Sequence, residues 1–212
     1  MTDRTPRRGL LLIVCSPSGA GKTSLCRRLM ADHADLTLSL SMTTRGARPG
    51  EDHGRDYNFI SREEFDGLVA QDAFLEWADV HGHRYGSPRP PVDAALQAGR
   101  DVLFDIDWQG ARRIREQVPQ DVVQVFILPP SLVELKRRLY ARAQDAPDVI
   151  ERRVARAKGE IEQYRDGEYV IVNDDFDRSY ADLAHIYHAE RIRRDRNPWI
   201  EPLVGRLMEE DV

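Results

Sequence analysis

The chain has 212 residues, 41% hydrophobic and 32% charged, enough for one sizeable core but not for two independent domains. With 31 Lys and Arg against 36 Asp and Glu the net charge is −5, so general polyanion binding is excluded and any anion site must come from local clustering of basic groups. No apolar run approaches the ~20 residues that span a bilayer.

In chain order, the polar stretch Met1–Arg8 predicts a short tail without the apolar region of a signal peptide. Leu10–Cys15 predicts a strand. It leads into Ser16-Pro17-Ser18-Gly19-Ala20-Gly21-Lys22-Thr23, and a helical pattern begins at Ser24-Leu25-Cys26. Strand, Gly-rich turn and Gly-Lys-Thr at a helix start form a phosphate-cradling loop, in which backbone N–H groups and the helix N-terminus meet an anion. Lys22 is expected to reach the β- and γ-phosphates, and the Thr23 hydroxyl to sit on Mg²⁺. Ser16 stands where the pattern asks for glycine, which is tolerable if its backbone needs no positive φ. Cys15 and Cys26 lack metal or redox spacing and read as buried small hydrophobes in a reducing, cytoplasmic setting.

Leu36–Leu40 predicts a second strand, after which residues 42–91 turn polar and Gly/Pro-punctuated and read as an inserted antiparallel or mixed lobe. Within it, Arg45 and Arg48 stand three residues apart in a loop, where two guanidinium forks can address one phosphate. Tyr57 and Tyr85 offer phenolic donors beside them. His53, His81 and His83 lack the partners of a metal site and are expected to be exposed loop residues. Val102–Ile106 predicts a strand ending at Asp105 and Asp107; a strand-end aspartate can assist Mg²⁺, and Asp107 suits a helix cap.

Val122–Leu128 predicts a further strand, stopped by Pro129-Pro130. Ser131 with Glu134 predicts a capping box for a helix carrying Leu132, Leu135 and Leu139. Residues 140–151 read as a mobile lid, followed by a helix with Ile150, Val154, Ala157, Ile161 and Tyr164 on one stripe. Tyr169–Val172 predicts the last strand. Arg112, Arg113, Arg115, Arg193, Arg194 and Arg196 are expected on solvated helix faces. The alternation predicts an α/β fold, a parallel sheet flanked by helices. It forms one domain over residues 9–194, with core segments 9–41 and 92–194 and tails 1–8 and 195–212. The pattern fixes no oligomeric state.

A phosphate loop alone leaves kinases, ATPases and GTPases open. The motifs S-P-S-G-A-G-K-T, S-M-T-T-R-G-A-R-P-G-E, D-Y-N-F, F-L-E-W-A, Y-G-S, D-I-D-W-Q-G, F-I-L-P-P-S and I-V-N-D-D narrow the choice. Over roughly Gly9 to Arg191 the chain resembles the guanylate kinases. The resemblance implies ATP and Mg²⁺, with Ser16, Pro17, Ser18, Gly19, Ala20, Gly21, Lys22, Thr23 and Ser24 at the ATP. It also implies GMP or dGMP in the insert, the phosphate held by Arg45, Arg48, Tyr57 and Tyr85, with Glu51 beside them, and the guanine by Ser41, Glu76 and Ser87. Asp105 would organise a phosphate-binding arginine. Arg138, Arg142 and Arg153 would offset charge on the transferring phosphoryl, although the family shows Arg-Gly where this chain has Arg142-Ala143. An ionised Glu76 accepts from both N1–H and N2–H₂ of guanine, whereas adenine presents a lone pair at N1. The resemblance implies small-molecule partners, with neither nucleic acid nor membrane. A kinase for another phosphate-bearing acceptor, or a binding module without catalysis, stays open on the residues alone.

Overall fold

The computed structural model describes residues 7–80, 82–141 and 146–210. His81, Arg142 and Ala143, named above, lie outside the described residues. The first strand, β1 (Leu11–Cys15), is buried along its whole length, as its unbroken aliphatic sequence requires of a strand covered on both faces. Helix α1 (Lys22–Asp32) returns over the sheet to β2 (Leu36–Leu38). The polar insert follows: β3 (Met42–Thr43), β4 (Asn58–Phe59), α2 (Arg62–Ala70), β5 (Phe74–Val80) and β6 (His83–Pro88). The chain then re-enters the main body with α3 (Arg89–Gln97), β7 (Asp101–Asp105), α4 (Trp108–Gln117) and β8 (Val122–Leu128). It finishes with α5 (Leu132–Ala141), α6 (Pro147–Ile161), β9 (Tyr169–Val172), α7 (Phe176–Arg191) and α8 (Ile200–Glu209).

Five strands form a parallel sheet in the order β2-β7-β1-β8-β9. Alternate residues of β1 feed two cores. Leu12 and Val14 face Leu25, Leu29, Leu183 and Tyr187 of α1 and α7, whereas Leu11, Ile13 and Cys15 face Leu96, Ala111 and Ile114 of α3 and α4. Burying each such side chain contributes roughly 1.5–3 kcal/mol. Because β1 lies at the centre with β7 and β8 on either side, the loop at its carboxyl end sits at the crevice where doubly wound sheets bind ligands.

The insert folds as a four-stranded mixed sheet in the order β4-β3-β6-β5. Its helix α2 opens with a complete capping box, Ser61 with Glu64. The box expected at α5 is half made. Ser131 Oγ accepts from Glu134 N–H at 3.0 Å, but the Glu134 carboxylate turns to Arg137 and Arg138. Two full charges outbid one amide and hold Glu134 down at about 2. A third small cluster, Leu135, Leu139, Ile150 and Ala157, binds α5 to α6. Of the stripe expected on that helix, Ile150 and Ala157 are buried and Tyr164 lies beyond its end, partly exposed.

One surface expectation is corrected. Arg196 is only 4% exposed, tucked between Glu190 and the Asp121 carbonyl, so it belongs to the interior rather than to a solvated face.

Candidate active site

Residues 16–21 carry the chain from β1 into α1. Gly21 precedes the helix with φ +101°, and a Cβ there would lie 2.2 Å from Asn173 Nδ2, so only glycine fits both the conformation and the space. Ser16 needs no positive φ, which explains why a serine serves at the first position. No side chain caps α1, which leaves its first-turn N–H groups to an incoming anion.

Lys22 opens the helix and its ammonium pairs with the Asp105 carboxylate, while Thr23 Oγ1 donates to Asp105 Oδ2 at 3.2 Å. Parallel pairing of Val14 with Asp105 sets this acid at the end of the neighbouring strand. A threonine hydroxyl beside an aspartate is a hard-oxygen donor set, and it fits a Mg²⁺ that keeps waters and takes phosphate oxygens. The loop, Lys22, Thr23, Asp105 and Asp107 line one cavity of about 410 Å³. Asp107 also caps α4, accepting from Gly110 N–H at 2.9 Å.

Arg138 of α5 reaches the loop from the opposite side. Its Nη2 donates to the Asn173 carbonyl at 2.9 Å and its Nη1 to the Ala20 carbonyl at 3.4 Å. Asn173, just past β9, donates its own amide to Ala20 O at 2.7 Å and is almost fully buried. Residue-by-residue reading gave Asn173 no role; the I-V-N-D-D motif was the signal that marked it. Arg153 lies half-buried on α6.

The lobe presents a second cluster. Arg45 lies after β3, held in a two-pronged pair by Glu51 (2.9 and 3.0 Å), and its Nε donates to Tyr85 Oη at 3.1 Å. Glu51 also accepts from the Arg48 backbone N–H at 2.8 Å, so one carboxylate organises both arginines. Arg45 sits 5.5 Å over the Tyr57 ring, whose hydroxyl pKa is raised by burial. The Arg48 residue itself is exposed. The carboxylate partner of Arg45 is therefore Glu51, and Asp105 is engaged by Lys22 and Thr23.

Glu76 on β5 stands opposite Ser87 on β6, and the fully buried Ser87 Oγ donates to Glu76 Oε1 at 2.7 Å. Burial pushes the Glu76 carboxyl above the ordinary range; Ser87 opposes that rise and the Asp107 charge adds to it. Its other oxygen lies near Gly110, whose Cβ would come within 3.5 Å of Oε2. Ser41 is half-buried at the entrance to β3, its carbonyl accepting from Asn58 N–H at 2.9 Å. Arg45, Arg48, Tyr57 and Tyr85 do not line the loop cavity, which Asp105 does.

An anion loop at the carboxyl end of a parallel sheet, with a basic and tyrosine-lined lobe beside it, defines a P-loop nucleotide-binding protein. Residues 8–190 match the family model described as guanylate kinase. A guanylate kinase of Caulobacter vibrioides is 60% identical over 207 residues, covering 98% of this chain and 97% of that protein. One of Maricaulis maris is 53% identical, covering 98% and 95%. The crystal structure of guanylate kinase from Anaplasma phagocytophilum is 33% identical, with a TM-score of 0.78 over 98% of this chain and 99% of that one. This chain belongs to the guanylate kinase family.

Proposed function

We infer that this protein transfers the γ-phosphoryl group of ATP to GMP, giving ADP and GDP. The observation that carries the reading is the coexistence of an intact phosphate loop with a half-buried, serine-bound glutamate in the facing lobe. The loop amides and Lys22 hold the ATP phosphates. Lys22 leaves Asp105 for them, an exchange of one charged partner for another. Mg²⁺, held at Thr23 with Asp105 beside it, supplies charge neutralisation on the phosphates when bound.

Arg45 and Arg48, kept in place by Glu51, bind the GMP phosphate together with Tyr57 and Tyr85. Glu76, Ser87 and Ser41 take the guanine. An oxygen of the GMP phosphate attacks the γ-phosphorus in line; the new P–O bond forms as the bond to the ADP oxygen breaks. Arg138, Arg142 and Arg153 offset charge spread over the transferring group. Little further chemistry is required of the protein, because alignment and charge supply most of the rate. The acceptor arginines and tyrosines are not among the residues that line the loop cavity, and closure of the lobe toward the sheet would bring the two phosphates together and keep water from competing as acceptor.

A coupled assay of ADP release over GMP, dGMP, AMP, CMP and UMP tests the reading. Guanine nucleotides are expected to be the preferred acceptors. Preference for another base overturns the acceptor assignment, and absence of ADP release with every acceptor overturns catalysis.

A further inference from the structure

The mechanism leaves one acid at the phosphate loop without a task. Glu160, in the last turn of α6, lines the loop cavity, and its Oε2 accepts from the Ser18 backbone N–H at 3.3 Å. Backbone N–H groups of such a loop are arranged to meet an anion. Here an anion of the protein's own is already on one of them.

Two features fix this contact. Leu135 and Leu139 of α5 pack with Ile150 and Ala157 of α6, and Leu139 closes over Gly19, where a Cβ would meet it at 3.1 Å. Helix α5 is thus seated on the loop and α6 on α5 through apolar contacts, and α6 brings its carboxylate alongside the loop. Seven residues before Glu160, Arg153 lies on the same stripe of α6, since two helical turns return nearly to the same direction. Around the cavity, three acids (Asp105, Asp107 and Glu160) stand against Lys22 among the described lining residues. Asp105 is matched by Lys22 and Asp107 is used as a cap, which leaves Glu160 as the acid whose partner is the loop itself.

We propose that Glu160 is a built-in competitor of ATP: its carboxylate occupies the Ser18 amide of the nucleotide-free loop and has to withdraw when the phosphates dock. This rests on the reading that ATP binds this loop. The consequence is specific to one substrate. Glu160 weakens ATP binding through like-charge repulsion and through the amide it holds, and among the described residues its hydrogen bond goes to the loop and not to the lobe that receives GMP.

Glu160→Gln and Glu160→Ala, in the full chain, remove the charge; Glu162→Gln removes a charge two residues further on, in the exposed turn that follows α6. Calorimetric titration with ATP and with pyrophosphate is compared with the Michaelis constants for both substrates. Both Glu160 variants are expected to bind ATP and pyrophosphate roughly three- to tenfold more tightly, the range of one partly solvated charge contact. The gain should shrink as salt rises, and the KM for GMP should stay unchanged. Glu162→Gln should behave as the wild type. Unchanged or weaker ATP binding in both Glu160 variants, or an equal gain from Glu162→Gln, overturns the proposal while leaving the activity intact. A wild-type protein that binds neither ATP nor pyrophosphate overturns both.

Discussion

Glu76 shows how a single side chain is held in a form the free protein disfavours. Its carboxyl is raised chiefly by burial, so the neutral form is the comfortable one. The stabilisation of that neutral form is fully present below the unfolded carboxyl value and is lost as pH rises through the higher folded value. At neutral pH ionising the group is a cost to folding; in the proposed reading the anion is what takes two guanine donors. Glu76→Gln is therefore expected to raise the thermal midpoint of the nucleotide-free protein at pH 7, with the gain vanishing in acid. Its amide would turn a donor toward guanine donors, so kcat/KM for GMP should fall ~10–100-fold, the worth of a charged hydrogen bond of about 1.5–3 kcal/mol. An unchanged ratio of GMP to AMP turnover would remove Glu76 from the base site. Lys22→Met should lower kcat by about 10² or more while the directly measured GMP affinity holds, because this lysine lies at the loop and not in the lobe; near-normal turnover would refute its assignment. The positions of these residues stood out in the sequence because short contiguous patterns carry them, and the role of Glu76 came from the family resemblance. The pairing of Arg45 with Glu51 was not, since a Gly/Pro loop gives no period from which to read which acid turns inward.

The elements of the main sheet were legible for a physical reason. A strand buried on both faces is near-continuously apolar: Leu10–Cys15 is wholly so, and Val122–Leu128 is interrupted only by the buried Gln124. The end of the chain offered no such signal. Helix α8 buries no residue and leaves Val204, Leu207 and Met208 exposed, so packing gives no reason for its pattern. Contacts between elements are the hardest to read, and Asn173 is the clearest case. It links β9 to the phosphate loop by one buried amide, and it receives Arg138 of α5 on its carbonyl. Asn173→Ala would leave the Ala20 carbonyl with Arg138 alone, at a longer 3.4 Å, and open space beside Gly21. The expected result is a loss of about 0.5–1.5 kcal/mol in stability, the net worth of the hydrogen bond removed. KM for ATP should rise, and GMP affinity should be unaffected. A rise in both Michaelis constants, or in neither, would show that the amide does not hold the loop.

At the scale of the molecule the sheet has two ends with different duties, and β7 connects them. Asp105 closes its carboxyl end at the phosphate loop, whereas Asp101 starts it about 13 Å away at the opposite edge. There Asp101 is completely buried and accepts from Leu10 N–H (2.9 Å), Tyr187 Oη (2.7 Å) and Arg7 (2.5 Å), with Arg191 at 3.4 Å. Next to it Arg8 pairs with Asp121 at 2.6 Å, and Tyr169 donates to Glu190, which faces the buried Arg196. This ionic knot fastens the start of the described chain, through Arg7 and Arg8, and the segment from Glu190 to Arg196 beneath the core. The Tyr187 hydroxyl pKa is raised, first by burial and then by its bond to Asp101. Asp101→Asn removes the charge that Arg7 and Arg191 face without changing shape. Breaking one side of a buried ionic group costs about 3–5 kcal/mol, so the urea midpoint should fall clearly with little change in m-value. At temperatures where the variant stays folded, kcat and both Michaelis constants should match the wild type within about twofold, because no residue of this knot lines the loop cavity. A fall in kcat from a fully folded variant would mean that β7 transmits strain along its length, and the separation of a stabilising edge from a reacting edge would have to be abandoned.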